Sequence, residues 1–279
     1  MVVNKSSIVR ESARLGDDIA AQMLVGNGTG APNDVSCAGR VQVICRLQCD
    51  PNAIVPRHGM RLINPQIVLD LQQGKPLHID LGSGPRPHPG FYALDQFELD
   101  GIDIVANLNE PLDMLPDNCA DHVFSSHALE HVDKLLPLLA EIHRIARPGG
   151  LIEIVVPHFS NPYYYSDPTH VRFFGLYTMY YFVDEDKQPD THKVPSFYSP
   201  ARFEIESVRI SFYRFNLFDR IVVPILRYLV NRNARWQHFY ERRLSWLFPA
   251  AEIRYKMRPC KSLPGRAVDQ PFSSKSSKL

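Results

Sequence analysis

The sequence has little that could staple a fold or span a membrane. Its 279 residues include five cysteines, Cys37, Cys45, Cys49, Cys119 and Cys260. The number is odd and no Cys-x-x-Cys pair occurs, so neither a disulfide framework nor a zinc ribbon is encoded. Cys45 and Cys49 have a spacing that zinc pairs sometimes use, but no second pair follows; the thiols read as reduced. No run reaches the ~18 apolar residues of a membrane helix, and the best one, Ile221 to Val230, is interrupted by Pro224 and Arg227. Charge of one sign is also missing: the formal net charge is +1, which argues against wholesale nucleic-acid binding. The N-terminal MVVNKSSIVRESARLGDD lacks an apolar stretch of signal-peptide length, which places the chain in the cytoplasm by default. The C-terminal Ser277-Lys278-Leu279 spells a peroxisomal address, an alternative that counts only in a eukaryote.

What is present is the balance of a globular protein, 44% hydrophobic and 22% charged, and long enough to build a core without staples. There is no internal repeat. Residues 1–61 lack a sustained period and read as a poorly ordered N-terminal extension, with Met60 as an alternative start. Residues 62–260 read as one domain and 261–279 as a flexible tail.

Within the domain the texture alternates between short apolar strands and helical periods. Ile67 to Leu71 has helical spacing and is ended by Gly74-Lys75-Pro76. Strands are expected at Leu77 to Leu81, Phe91 to Leu94, Ile102 to Ala106, Ala120 to Ser125 and Leu151 to Val156. Between the last two, Val132 to Ala146 places Leu135, Leu136, Leu138, Leu139, Ile142 and Ile145 on one helix face, stopped by Arg147-Pro148-Gly149-Gly150. Phe203 to Tyr213 and Glu252 to Met257 alternate as further strands. Strands interleaved with helices indicate an α/β fold with a mostly parallel sheet.

The first long strand runs into Asp80-Leu81-Gly82-Ser83-Gly84-Pro85. A glycine turn at the carboxyl end of a strand in an open sheet is where ligands sit. The dinucleotide fingerprint is not met: Pro87 stands where a third glycine belongs, and Asp95 follows Gly84 by only eleven residues. A nicotinamide cofactor is therefore disfavoured. The return to the next strand, Pro85 to Gly90, is too short to carry a helix between parallel strands.

Taken in order, LHIDLGSGP, FYALD, DIVANL, ADHVFSSHALEHV and EIHRIARPGGLIEIVVP resemble a class I S-adenosylmethionine-dependent methyltransferase, most closely the small bacterial type 11 family. The resemblance implies a Rossmann-like seven-stranded sheet, flanked by helices, whose last strand is antiparallel. It implies S-adenosylmethionine as cofactor. Asp80, Gly82, Ser83 and Gly84 would form the loop beside the methionine moiety. Asp95 would bind the ribose hydroxyls, Asn107 and Leu108 would lie against adenine, and Ser125 and Ser126 would line the cleft below the sulfonium. Arg86, at a common glycine position, and the missing helix after the first strand depart from the pattern.

His127 and His131 are four apart, as zinc pairs on a helix are, but no third ligand at a matching spacing is evident and no metal is expected. The segment 158–200 is rich in tyrosine and phenylalanine, and the Asp167-Pro168 turn predicts a helix starting near Thr169; the resemblance implies that this segment caps an acceptor pocket. His158 and His170, the latter beside Asp167, are the candidate catalytic groups, since an alcohol acceptor benefits from a base near neutral pH. Arg214 to Arg258 carries ten cations and three anions among apolar residues. It reads as a helical insertion, 215–249, that either covers the sheet or lies on a membrane surface. The expected activity is methyl transfer to a small-molecule, glycan or lipid-linked acceptor. A non-catalytic binding module on the same fold, or an RNA or protein methyltransferase, stays open.

Overall fold

The computed structural model describes residues 59–261, and the expected N-terminal extension and C-terminal tail lie almost wholly outside the described residues. The apolar runs form a single sheet. Its strands are β1 (Arg61–Leu62), β2 (Leu77–Leu81), β3 (Tyr92–Asp95), β4 (Ile104–Val105), β5 (Ala120–Ser126), β6 (Ala146–Pro157), β7 (Phe203–Ser211) and β8 (Glu252–Pro259). The order across the sheet is β1-β4-β3-β2-β5-β6-β8-β7. Strands β4, β3, β2, β5 and β6 are mutually parallel. Strand β8 runs antiparallel to both β6 and β7, as the resemblance implies for the last strand.

The sheet has eight strands, one more than expected. The addition is β1, which pairs antiparallel with β4 at the edge. Met60, just before it, is 1% exposed and sits in the core. An apolar side chain and two backbone pairs thus tie residues 60–62 to the sheet.

Helix α1 (Gln66–Gln72) buries Ile67 and Leu71. Helix α2 (Leu135–Ile145) buries Leu138, Leu139, Ile142 and Ile145, the i, i+4 and i+7 set that faces a sheet. Leu136, assigned to the same face from sequence, is exposed. The Arg-Pro-Gly-Gly run does not separate α2 from the next strand. Strand β6 starts at Ala146, directly after the helix, and its register jumps from Ala120↔Ala146 to His122↔Leu151. A bulge absorbs the extra residues. At Gly150 a Cβ would meet three carbonyl oxygens at 3.0 to 3.2 Å.

Helices α3 (Leu217–Val230) and α4 (Ala234–Arg243) form the expected insertion before β8. Asn216 caps α3 reciprocally with Asp219, and this capping box starts the helix. The helix continues through Pro224. No helix forms near Thr169. The cap segment is built from three short 3-10 turns, Pro162–Ser166, Thr178–Phe182 and Glu185–Lys187. Among the described residues no helix is long and apolar enough to cross a membrane.

Candidate active site

The site lies at the carboxyl ends of β2, β3 and β5. After β2 the chain turns sharply: the Gly82 and Ser83 amides both donate to the Leu94 carbonyl, at 2.7 and 3.2 Å. Gly82 has φ +69, and a Cβ there would lie 2.3 Å from the Ala128 Cβ. Only glycine fits both the left-handed backbone and the close approach of the β5 loop. Gly84, also left-handed, faces open space.

The Gly84 amide donates to Asp95 Oδ2 at 2.9 Å, and the Phe97 amide donates to Asp95 Oδ1 at 3.0 Å. Two backbone donors thus aim the carboxylate that ends β3. An ionised carboxylate has about four acceptor positions, so two stay available toward a ligand. Asp95 lines a cleft of ≈ 540 Å³ together with Gly82, Gly84, Phe97, Asn107 and Leu108. Ala106, His127, Ala128, His131 and Thr169 line it as well.

The structure sorts the residues expected from sequence. Gly82, Gly84, Asp95, Asn107 and Leu108 come together around one cleft. Asp80 stands behind the loop: it is buried and accepts the His88 amide at 2.9 Å. Burial pushes its carboxyl up, against the pull of that amide. Its contact anchors the proline-rich return. The Ser83 Oγ is buried and lacks a hydrogen-bond partner. Ser125 is turned into the sheet, where its Oγ donates to the Leu81 carbonyl at 2.9 Å. It ties β5 to β2, and neither it nor Ser126 is among the residues that line the cleft.

The absent helix after β2 is replaced by rings. His88 and Phe91, whose rings are 4.6 Å apart, pack on Phe124 and His122 of β5 with centroids 4.8 to 6.1 Å apart. These aromatics cover part of the sheet face that a crossover helix would cover.

Of the two candidate bases, His158 is fully buried and outside the cleft lining. Its Nδ1 accepts the Ser160 amide at 3.2 Å, so Nε2 carries the proton and donates to Glu241 Oε1 at 3.2 Å. That Glu241 oxygen also accepts the Leu176 amide at 2.6 Å. His158 therefore links β6 to α4 and the cap. His170 is nearer. Its Nδ1 is 2.9 Å from the Tyr164 carbonyl, its Nε2 is 3.7 Å from Asp167 Oδ2, and its ring lies 4.8 Å from that of His131 on the cleft wall. Asp167 binds Thr169 through both amide and hydroxyl.

Sequence reasoning missed His127 as a cleft residue. It is no part of a helix; its φ is +55, an uncommon state for a residue with a Cβ. Its Nδ1 lies 3.3 Å from Glu130 Oε1 and its Nε2 3.0 Å from Glu252 Oε1. These carboxylates, against the pull of burial, hold the imidazole up at about 9. The HALEHV string was visible, but the turn that splits its two histidines was not. Phe97, two residues beyond Asp95, was also missed.

Residues 91–154, which run from the start of β3 into β6, match the family model described as a methyltransferase domain. No curated protein matches the chain. Among solved structures, a S-adenosylmethionine-dependent methyltransferase from Archaeoglobus fulgidus is 19% identical, over 66% of this chain and 86% of that one, with a TM-score of 0.39. One from Mesorhizobium loti is 16% identical, over 70% and 96%, with a TM-score of 0.33. A phosphoethanolamine N-methyltransferase from Haemonchus contortus, in complex with S-adenosyl-L-methionine, is 14% identical, over 70% and 52%, with a TM-score of 0.35. The segment that carries Asp95 and the β5 loop is therefore similar to a methyltransferase domain.

Proposed function

We propose that the chain is an active methyltransferase that holds S-adenosylmethionine in the cleft between β2, β3 and β5. The observation that carries this is Asp95, aimed by two amides beside the left-handed Gly82–Gly84 loop. In this reading its free acceptor positions take the two ribose hydroxyls, through charge-assisted bonds. Asn107, Leu108 and Phe97 bracket the adenine, and the Gly82–Gly84 loop gives the methionine moiety room.

Transfer is an in-line displacement. The acceptor atom forms a bond to the methyl carbon as the carbon–sulfur bond breaks, its electron pair staying on sulfur, and the chain's main task is alignment. The imidazoles that line the cleft are His127 and His131, and the His170 ring lies 4.8 Å from that of His131. His158 takes no part.

The acceptor we favour is lipid-linked. Helix α3 leaves Leu217, Phe218, Ile221, Ile225 and Tyr228 more than half exposed, among the exposed Arg214, Arg220 and Arg227. An apolar stripe flanked by cations suits an anionic lipid surface. The patch reaches the cap, because the Phe215 ring lies 6.1 Å from that of Tyr163 and 5.1 Å from that of Tyr213. A small soluble acceptor or a glycan is the competing case.

The test is transfer of a labelled methyl group from S-adenosylmethionine into lipid, glycan and polar small-molecule pools. Label entering the lipid pool, and lost with Asp95→Ala, supports the reading. Label entering another pool keeps the activity and removes the lipid acceptor. No transfer to any pool by a chain that binds the donor points to the non-catalytic module.

A further inference from the structure

Glu130 is buried where a carboxylate is expensive. It is 0% exposed, and neither carboxylate oxygen has a hydrogen-bond partner. Oε1 has only the His127 Nδ1 at 3.3 Å, an ion-pair distance without hydrogen-bond alignment. A carboxylate buried this deeply is ordinarily paired, hydrogen-bonded or bound to a metal. Two imidazoles stand beside it. One ligand atom each from Glu130, His131 and His170 lies within 4.8 Å of the others.

Both imidazoles are prepared in the same way. The His170 Nδ1 is 2.9 Å from the Tyr164 carbonyl. The His131 Nδ1 is 3.3 Å from the Thr169 carbonyl and 2.9 Å from the Thr169 hydroxyl. A ring that gives its Nδ1 proton to a carbonyl presents its Nε2 lone pair, which is how metal-bound histidines are usually oriented. Thr169 is itself fixed by Asp167, through its amide at 2.8 Å and its hydroxyl at 2.6 Å. The outer contacts of a metal site are therefore in place.

We propose that Glu130, His131 and His170 bind a divalent cation on the wall of the cleft. One carboxylate and two imidazoles suit Zn²⁺, Mn²⁺ or Co²⁺ rather than Ca²⁺. Ligand distances of ~2.0–2.2 Å place neighbouring donor atoms ~3.3 Å apart, so the three groups close by small side-chain rotations. Three protein ligands leave at least one position for water or an acceptor oxygen. His131 and Thr169 border the cleft, so the cation would adjoin the reacting centre. That placement rests on the proposed function; the binding itself does not. The third ligand lies 39 residues beyond His131, which is why no sequence spacing revealed it.

The competing account is that Glu130 is neutralised by His127 alone. Calorimetric titration of the full chain with Zn²⁺, and absorption with Co²⁺, decides between them. The expected result is one site per chain, weakened by a factor on the order of 100 or more in Glu130→Gln and in His170→Ala. His170 is less buried than Glu130, so its variant serves if Glu130→Gln fails to fold. No binding by the wild type, or equal binding by folded variants, overturns the proposal. S-adenosylmethionine binding measured on the same samples separates the two readings. Donor binding without the metal removes only this site, and metal binding without the donor removes only the proposed function.

Discussion

The Gly84 amide and the Asp95 carboxylate meet at 2.9 Å, joining the loop after β2 to the end of β3. This bond makes the cleft a consequence of the strand order. Parallel neighbours put both carboxyl ends on one edge, and the glycine loop can bend over that edge only where its backbone is left-handed.

Gly82→Ala tests the bend. A methyl at 2.3 Å from the Ala128 Cβ cannot be accommodated without moving the β5 loop, and the φ of +69 adds its own cost. The expected loss is about 2–4 kcal/mol of stability, read by denaturant unfolding, with donor affinity falling alongside. A variant with unchanged stability would contradict the packing described.

His158→Asn separates anchoring from chemistry. The imidazole joins the Ser160 amide to Glu241 inside the fold, and its removal leaves both groups short of a partner. Stability should fall by about 2–4 kcal/mol. Affinity for S-adenosylmethionine, measured well below the melting temperature, should stay within about threefold, a change under 1 kcal/mol. A loss of affinity with stability intact would put His158 back in the site.

Glu141 carries a pH dependence. Burial alone would push its carboxyl up, but Arg144 bonds both of its oxygens, at 2.9 and 2.8 Å, and the Leu112 amide adds a third bond. The net effect is a carboxyl held below its ordinary value of 4.5. A carboxyl lowered by folding stabilises fully above its unfolded value and loses that contribution as pH falls through the folded one. Acid unfolding of wild type should therefore steepen below about pH 4.5, and Glu141→Gln should remove that component. Identical acid profiles for the two would refute it.

Vesicle flotation tests the α3 surface. Binding to anionic phosphatidylglycerol vesicles at low salt, reversed by added salt, is expected of the wild type. Ile221→Glu with Ile225→Glu changes two exposed residues and should abolish it without altering the melt. Binding that survives both substitutions would mean that α3 is not the contact.

Much of the sheet was readable because its strands are buried apolar runs. LHIDL occupies the expected residues, and LIEIVV lies within the longer β6. Helix α2 was readable from Leu138, Leu139, Ile142 and Ile145. Leu136 misled because an apolar residue in a helical window need not face the core. The Arg-Pro-Gly-Gly run was read as a stop, and α2 does end just before it, at Ile145; what the sequence did not show is that its glycines also serve a bulge inside β6, a role that depends on the carbonyls of β5. A helix was expected after the Asp167-Pro168 turn, near Thr169, yet the side-chain bonds of Asn161 and Asp167 hold this stretch in short turns.

The site was half legible. Gly82, Gly84, Asp95 and the Asn107-Leu108 pair sit at strand ends, where position along the chain implies position in space. Ser125 and His158 also end strands, but their side chains point into the sheet and toward α4. That direction is set by pleat and packing, not by spacing. The Glu130, His131 and His170 group needed the fold, because the cap returns His170 from far along the chain.

The most direct measurement is calorimetric titration of S-adenosylmethionine and its demethylated product into wild type and Asp95→Ala. Two charge-assisted bonds to ribose, each contributing about 1.5–3 kcal/mol, predict donor binding by the wild type that weakens by a factor on the order of 100 or more in the variant. Absence of binding to the wild type, or equal affinity in a folded Asp95→Ala, would contradict the account.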